Sequence, residues 1–566
     1  RNWKRAARKT VFSHYWMAIM VCLVAAFLGT EFTGSLESLH FTRQKWDVIS
    51  NFLASFGRPG AAANSRGVFA IAVNKIADGS LQNIVNNTIM SLAGSSEFWQ
   101  SFGIVVSSLV SMTYWVLVTH TFVVILRRLF MEMRVYEEVP PYRALYLHSA
   151  RCWGRTSLAL LRVAVQRGLW WLTIIGGAIK TFSYYLCGFI LAENPTMKGG
   201  DAIALSRKMM NGHKWECFLL ELSFVPWHLL SLATFGLSSL FYSSAYLSAA
   251  RCEFYAAVRA QVKAEGEAQA LRDTYLFEKA GAKTLRRAYN DLGRPAEKLP
   301  ARVYGNRVTR FFGECLGVTL FVNPQDVARE KIQDREYRLR YMRRCEQGLS
   351  YPIRLSPLLQ YEHKDHEPAL FTRKYPVTTL VLLFFLFSII GWCWEVVLHL
   401  LSEGTFVNRG VLHGPWLPIY GTGGVLVLLT LYKLRDKPWL EFWATVVVCG
   451  VVEYFTAYYL ETVYDRRWWD YAGYFLNLHG RICAEGLLVF GLGGMAVVYG
   501  VAPLFDNLLH KVRHSVLIGL CAALITLFCA DQAYSHFHPN EGEGITDEVV
   551  YKTDDARIRL DEEAFV

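Results

Sequence analysis

"VTTLVLLFFLFSIIGWCWEVVLHL", residues Val377–Leu400, contains no lysine or arginine and only one carboxylate, Glu395. Wound as an α-helix at 1.5 Å per residue, such a run reaches across the ~30 Å hydrocarbon core of a bilayer, which takes about 20 apolar residues. Comparable runs recur at Phe12–Gly29, Phe102–Leu126, Gly168–Ala192, Cys217–Ala250, Pro415–Tyr432, Trp439–Leu460, Ile482–Val501 and Val516–Ala530. A single chain cannot bury all of these as cores of a water-soluble fold. Lipid offers the backbone no hydrogen-bond partner, so apolar spans of this kind are helical. The chain therefore reads as all-α, a multi-pass helical integral membrane protein of about eleven transmembrane helices.

Composition agrees. Of 566 residues, 53% are hydrophobic and 14% aromatic, while 19% are charged, against roughly a quarter in soluble domains. The basic flank "RNWKRAARK" precedes the first run, but no small-residue cleavage site follows it, so a retained span is expected rather than a signal peptide. The twelve cysteines form no CxxC pair, and many sit inside apolar runs. They read as small hydrophobes, not as a disulfide framework or zinc site. His399, His413 and His479 show no HxH or HxxxH spacing, and neither a metal nor another cofactor is expected. No G-x-x-x-x-G-K-[ST] sequence occurs, so the chain is not itself a P-loop ATPase. "YGTGG" (Tyr420–Gly424) lies within an apolar run, where glycines serve close helix packing.

The net charge of +11 points to cytoplasmic Lys/Arg, not to nucleic acid, because basic residues accumulate in cytoplasmic loops. This rule places the N-terminus inside, residues 31–100 outside, and "RRLFMEMR" (127–134) inside. The run around Gly176–Gly177 reads either as one span or as a broken hairpin. Pro226 and Gly236 divide the run 217–250 into two short spans. Residues 1–250 then form a first membrane block of about six spans. Residues 251–374 form a basic, helical cytoplasmic linker, and 375–535 a second block of about five spans. "KLRDK" (433–437) and "HKVRH" (510–514) mark its inner loops, which leaves the acidic tail 536–566 outside.

Ionisable groups at membrane depth cost about 2.5–3.5 kcal/mol each on insertion scales, so they face the bundle interior and pair. The second block holds several. Glu395 lies late in its span. Glu453 and Glu461, eight residues apart, share a helix face about 12 Å apart along the axis, and Tyr454 and Tyr458 form a stripe by i, i+4 spacing. Arg409 and His413 enter the next span, and Arg481 starts another. Three acidic groups thus confront two arginines near the outer leaflet, a network that suits either packing or a ligand. Between two spans, "YDRRWWDYAGYFLNLHGR" (464–481) adds Arg467, Trp468, Trp469 and Asp470. Its Trp pair suits an interfacial aromatic belt.

The stretches "FSIIGWCWEVV", "FVNRGVLHGPWLPIYGTGG", "EYFTAYYLE" and "RRWWDYAGYFLNLHGRI" resemble, in this order, a bacterial family of CmpB-like ABC-transporter permeases, over about 377–510. The resemblance carries over onto Glu395, Asn408, Arg409, His413, Tyr420, Glu453, Glu461, Trp468, Trp469, Asp470, Asn477 and Arg481. Where the family most often has "LNGR", this chain has "LHGR", which sets His479 apart. "AIKTFSYYLCGFILAENP" and "SRKMMNGHKWECFLLELSF" resemble a second, uncharacterised bacterial membrane family.

The resulting expectation is a permease-type transport protein of the cell membrane, surrounded by lipid. Its substrate-binding residues would be the twelve just named with Tyr458 and Arg467. An ATPase subunit in trans and homo-oligomerisation are the expected partnerships, and no catalytic residue is assigned. Two further readings are open: an intramembrane enzyme acting on lipid-linked substrates with Glu453 or Glu461 as acid/base, and a non-catalytic scaffold of a membrane complex.

Overall fold

A computed structural model describes residues 2–33, 97–234, 236–266, 270–292, 305–319, 324–357, 373–403, 406–464, 471 and 478–540. These are helical apart from one short parallel pairing, Val318–Thr319 with Tyr375–Pro376. Among them, seven helices are long and apolar enough to cross a membrane, or eight if one sharply bent pair is a single span. The chain is a multi-pass membrane protein. Eleven spans were expected, and the difference arises where apolar sequence is broken into short helices. Contacts divide the chain into two compact units: Arg1–Lys45, Ala72–Glu297 and Gln333–Pro368 form the first, and Trp46–Ile71, Lys298–Ile332 and Ala369–Val566 the second. The basic stretch 251–374 is shared between them.

In the first unit, α1 (Asn2–Ser13) and α2 (Tyr15–Phe27) meet at a 97° bend. Thirteen residues make α2 only about 20 Å long, short of a bilayer core. The basic flank is itself a helix, with Lys4 over the Phe224 ring and Trp3 against Phe254. The long span follows, α3 (Glu97–Tyr114) running through a π-turn at Trp115–Thr119 into α4 (His120–Val135). α5 (Trp153–Trp171) then packs beside α6 (Ile175–Ser183) and α7 (Cys187–Glu193). The chain reverses at Ile174, whose φ of +50° lies in the region disfavoured for a β-branched side chain. The break therefore falls just before the Gly176–Gly177 pair, and the residues beyond it, Ile175–Glu193, form one apolar segment long enough to cross a membrane. After α8 (Gly199–Met209), the helices α9 (Lys214–Leu222) and α10 (Val225–Ala233) form one apolar segment. Gly236, with φ +84°, separates this segment from α11 (Ser244–Ala264), which packs along α1. The 217–250 run is divided where its Gly suggested.

In the second unit, α12 (Arg307–Cys315) begins with a capping box, Asn306 accepting from the Thr309 N–H, and α13 (Pro324–Glu346) starts here and ends among first-unit residues. The unit's apolar helices are α14 (Val377–Glu403), α15 (Pro418–Thr430), α16 (Pro438–Tyr464), α17 (Ala484–Ala496), α18 (Ala502–Leu509) and α19 (His514–Phe537), of which α15 is too short to count among the spans. They pair as hairpins, α14 with α15 and α16 with α17, and α19 packs against α14. α15 and α16 start on prolines that preset φ for a first helical turn. Small residues bring the hairpin backbones together. A Cβ on Gly421 would sit 2.2 Å from the Ser388 hydroxyl, and one on Gly391 would sit 2.2 Å from the Tyr420 ring.

Candidate functional site

Gly391 and Glu395 share one face of α14 by i, i+4 spacing. The missing side chain at 391 gives the Tyr420 ring a seat on that helix, and from there its hydroxyl donates to Glu395 Oε1 at 2.5 Å. Arg409, in the loop after α14, lies 3.7 Å from the other Glu395 oxygen. One acid, one phenol and one guanidinium are thus assembled from three consecutive stretches of chain.

Glu453 lies midway along α16 and is 8% exposed. Its Oε1 accepts from the Tyr471 hydroxyl at 3.1 Å, while Oε2 is buried with no hydrogen-bond partner among the described residues. Tyr471 is placed by its own backbone, whose N–H donates to the Gly480 carbonyl at 2.7 Å. Burial and then the adjacent Glu453 carboxyl raise the Tyr471 pKa, so it stays a neutral donor. Tyr420 is an electrostatic neighbour of Glu395, Glu453 and Arg409, and Tyr471 is one of Tyr420. The two carboxylates therefore belong to one polar cluster.

Two helical turns further along α16, Glu461 accepts from Arg481 Nε at 2.9 Å and Nη2 at 2.7 Å, both on Oε2. Arg481 also donates to the Tyr454 hydroxyl at 3.1 Å and lies over the Tyr454 and Tyr458 rings at 5.3 and 5.1 Å. The expected tyrosine stripe is thus a cradle for this guanidinium. His479, with φ +55°, meets Tyr454 through Nδ1 at 2.9 Å.

Asn408 and His413 belong to a different arrangement. Asn408 accepts from Trp392 Nε1 at 2.7 Å and donates to the His413 carbonyl at 3.0 Å. His413 Nδ1 meets Ser535 Oγ at 3.0 Å. The loop is held by Asp531 of α19, which accepts from the Gly414 N–H at 3.0 Å and from Trp416 Nε1 at 2.7 Å. Asp531 has no place in the sequence expectation because its apolar run was ended one residue earlier; a carboxylate inside "LFCADQAY" was the available signal. Arg467, Trp468, Trp469, Asp470 and Asn477 lie outside the described residues.

Sequence reasoning also overlooked a second charge network, in the first unit. Glu132 accepts from Arg128 Nε at 2.9 Å and Arg143 Nε at 2.8 Å. Arg128 also pairs with Asp273 at 2.9 Å, which accepts from the Tyr351 hydroxyl at 2.7 Å. Glu193 takes Arg259 at 2.8 Å and Tyr255 at 3.0 Å. Arg128, Glu132, Arg143 and Asp273, and the Glu193–Arg259 pair, are all buried. Burial disfavours the charge on Arg143, but Glu132 outweighs it and raises the Arg143 pKa. "RRLFMEMR", read from sequence only for its side of the membrane, belongs to the buried helix α4, and its i, i+4 pair Arg128–Glu132 is the clue visible in the sequence.

Among the described residues no three His, Cys, Asp or Glu side chains come together as metal ligands. Residues 382–536 match the family model described as "Putative ABC-transporter type IV", and residues 12–262 match one described as "Protein of unknown function (DUF975)". These are the two families that the sequence motifs resemble. No curated protein and no solved structure matches the chain.

Proposed function

We propose that this chain is a permease-type membrane transport protein whose solute site is the polar cluster of Glu395, Arg409, Tyr420, Glu453 and Tyr471. The observation that carries this reading is that Glu395 and Glu453, on two membrane-length helices of the very segment that matches a transporter family, accept from the phenols of Tyr420 and Tyr471. Polar groups at that depth are costly and are retained on ion or solute pathways. The Arg481–Glu461 pair and its tyrosines form the adjoining rim, and charge asymmetry in the loops assigns that rim to the outer leaflet.

The chain has no phosphate-binding loop, so ATP coupling requires an ATPase subunit in trans, docked on the basic stretch 251–374 or on the "SRKMMNGHKWE" segment (206–216). The test is solute flux in proteoliposomes together with native co-purification. Flux in the wild type that is lost in Glu395→Gln supports the site. Repeated native purification without an ATPase, alongside sustained flux, removes the ATP-driven version.

A further inference from the structure

The three acids of the second unit are not equivalent. Glu395 has Arg409, and Glu461 has Arg481. Glu453 forms no ion pair among the described residues, and its one hydrogen bond comes from a neutral phenol. Two other buried carboxylates also leave one oxygen without a partner, Asp273 and Glu441. Asp273, however, has Arg128 at 2.9 Å on its other oxygen, and Glu441 lies in the first turn of α16, within electrostatic reach of Arg435. An acidic group in a first helical turn is also favoured by the helix dipole. Glu453 sits mid-helix and gains nothing from that dipole.

Among the described residues, the titratable groups facing Glu453 are Tyr471, Tyr420 on α15 and Cys449 one turn earlier on α16. All are neutral donors or thiols. Beyond Tyr420 stands Glu395, whose charge is already matched by Arg409. A bare carboxylate in this surrounding is unfavourable by several kcal/mol (order of magnitude). Either a proton or an external cation must neutralise it. A hard metal ion fits poorly: Ca²⁺ takes about 6–8 oxygens and Mg²⁺ about six, whereas one free carboxylate oxygen and two phenols are on offer. A weakly hydrated organic cation needs no such cage and is attracted to aromatic rings, which Tyr420 and Tyr471 supply beside Glu453.

We infer that Glu453 is a proton-binding group that exchanges its proton for the positive charge of an organic cation. When the cation enters, the Glu453 O–H bond breaks, the proton passes to water, and the carboxylate left behind pairs with the cation. When the cation leaves, a proton is taken up again, so one positive charge is always present. This rests on the transport reading and narrows its solute to amphiphilic cations.

The experiment uses the full chain in lipid nanodiscs with dicyclohexylcarbodiimide. This reagent adds to a protonated carboxyl in an apolar setting to form a stable N-acylurea, with no group lost, and mass spectrometry locates it. Expected is labelling of Glu453 at least about tenfold above Glu395 and Glu461, whose carboxylates are matched by Arg409 and Arg481. Labelling should fall as pH rises and be absent in Glu453→Gln. Tetraphenylphosphonium or tetraethylammonium should reduce it about tenfold, while tetraphenylborate should not. No labelling of Glu453 in folded protein overturns the proton site. Labelling that neither cation reduces, or that sodium suppresses, overturns the exchange. Cation-protected labelling in a protein that moves no cation across proteoliposomes leaves the exchange standing and retires the transport reading.

Discussion

Both units bury acids among helices, but they balance them differently. In the first unit, Glu132 is shared by Arg128 and Arg143, Arg128 reaches on to Asp273, and Glu193 is closed by Arg259 and Tyr255. Each of these three buried acids has a cation. In the second unit, Glu395 and Glu461 have cations, and Glu453 has none among the described residues. A network whose charges cancel internally needs no further component and acts as a lock. A network one positive charge short is complete only with something from outside. The contrast separates packing from a site more cleanly than depth or residue type does.

The sharpest way to break the contrast is Glu132→Gln. It leaves two buried guanidinium groups, Arg128 and Arg143, without their shared acid. Removing one partner of a buried pair costs about 3–5 kcal/mol. The expected result is loss of monodisperse protein in detergent, read by size-exclusion chromatography and thermal unfolding. If Glu132→Gln is as stable as wild type, the first-unit network is not a lock.

Asp531→Asn should come next. The carboxylate accepts from Gly414 N–H and Trp416 Nε1, and hydrogen bonds to charged groups contribute about 1.5–3 kcal/mol. The loop 406–416, which carries Arg409, should loosen while the helices remain. Faster cleavage in that loop by limited proteolysis would register it, and unchanged cleavage would detach Asp531 from the positioning of Arg409.

Gly391→Ala tests the slot rather than a charge. Its new Cβ would meet the Tyr420 ring at 2.2 Å, and overpacking costs about 1–3 kcal/mol. Because the displaced atoms are those of the Glu395 partner, binding of the solute should weaken more than stability does. Equal losses would make Gly391 a packing residue only.

Which of these features were legible beforehand follows from how far apart the partners lie. Apolar runs reveal helices locally, so the membrane architecture, the break at Gly236 and the reversal near Gly176 could be read along the chain. Glu395 with Arg409 and Glu461 with Arg481 could also be anticipated, since each pair lies across one connection. The first-unit lock could not. Arg128 finds Asp273 and Asp273 finds Tyr351 only after distant segments fold together, and a basic run beside an apolar one looks like a cytoplasmic flank. Asp531 was hidden for the same reason, its partners lying over a hundred residues earlier. Sequence gives the position of a charge; its neutralisation is a tertiary property.

Glu453→Gln is therefore the decisive counterpart to Glu132→Gln, the same substitution in the other network. The amide carbonyl can still accept from the Tyr471 hydroxyl, and no cation loses its partner. If Glu453 already carries a proton, the change replaces a neutral O–H with a neutral NH₂, and stability should fall by far less than the about 3–5 kcal/mol of a broken buried pair. Cation-dependent function should nevertheless vanish, because an amide can neither release a proton nor pair with a positive charge. A thermal shift as large as that of Glu132→Gln would mean that Glu453 holds an unseen structural partner, and the distinction between lock and site would fall.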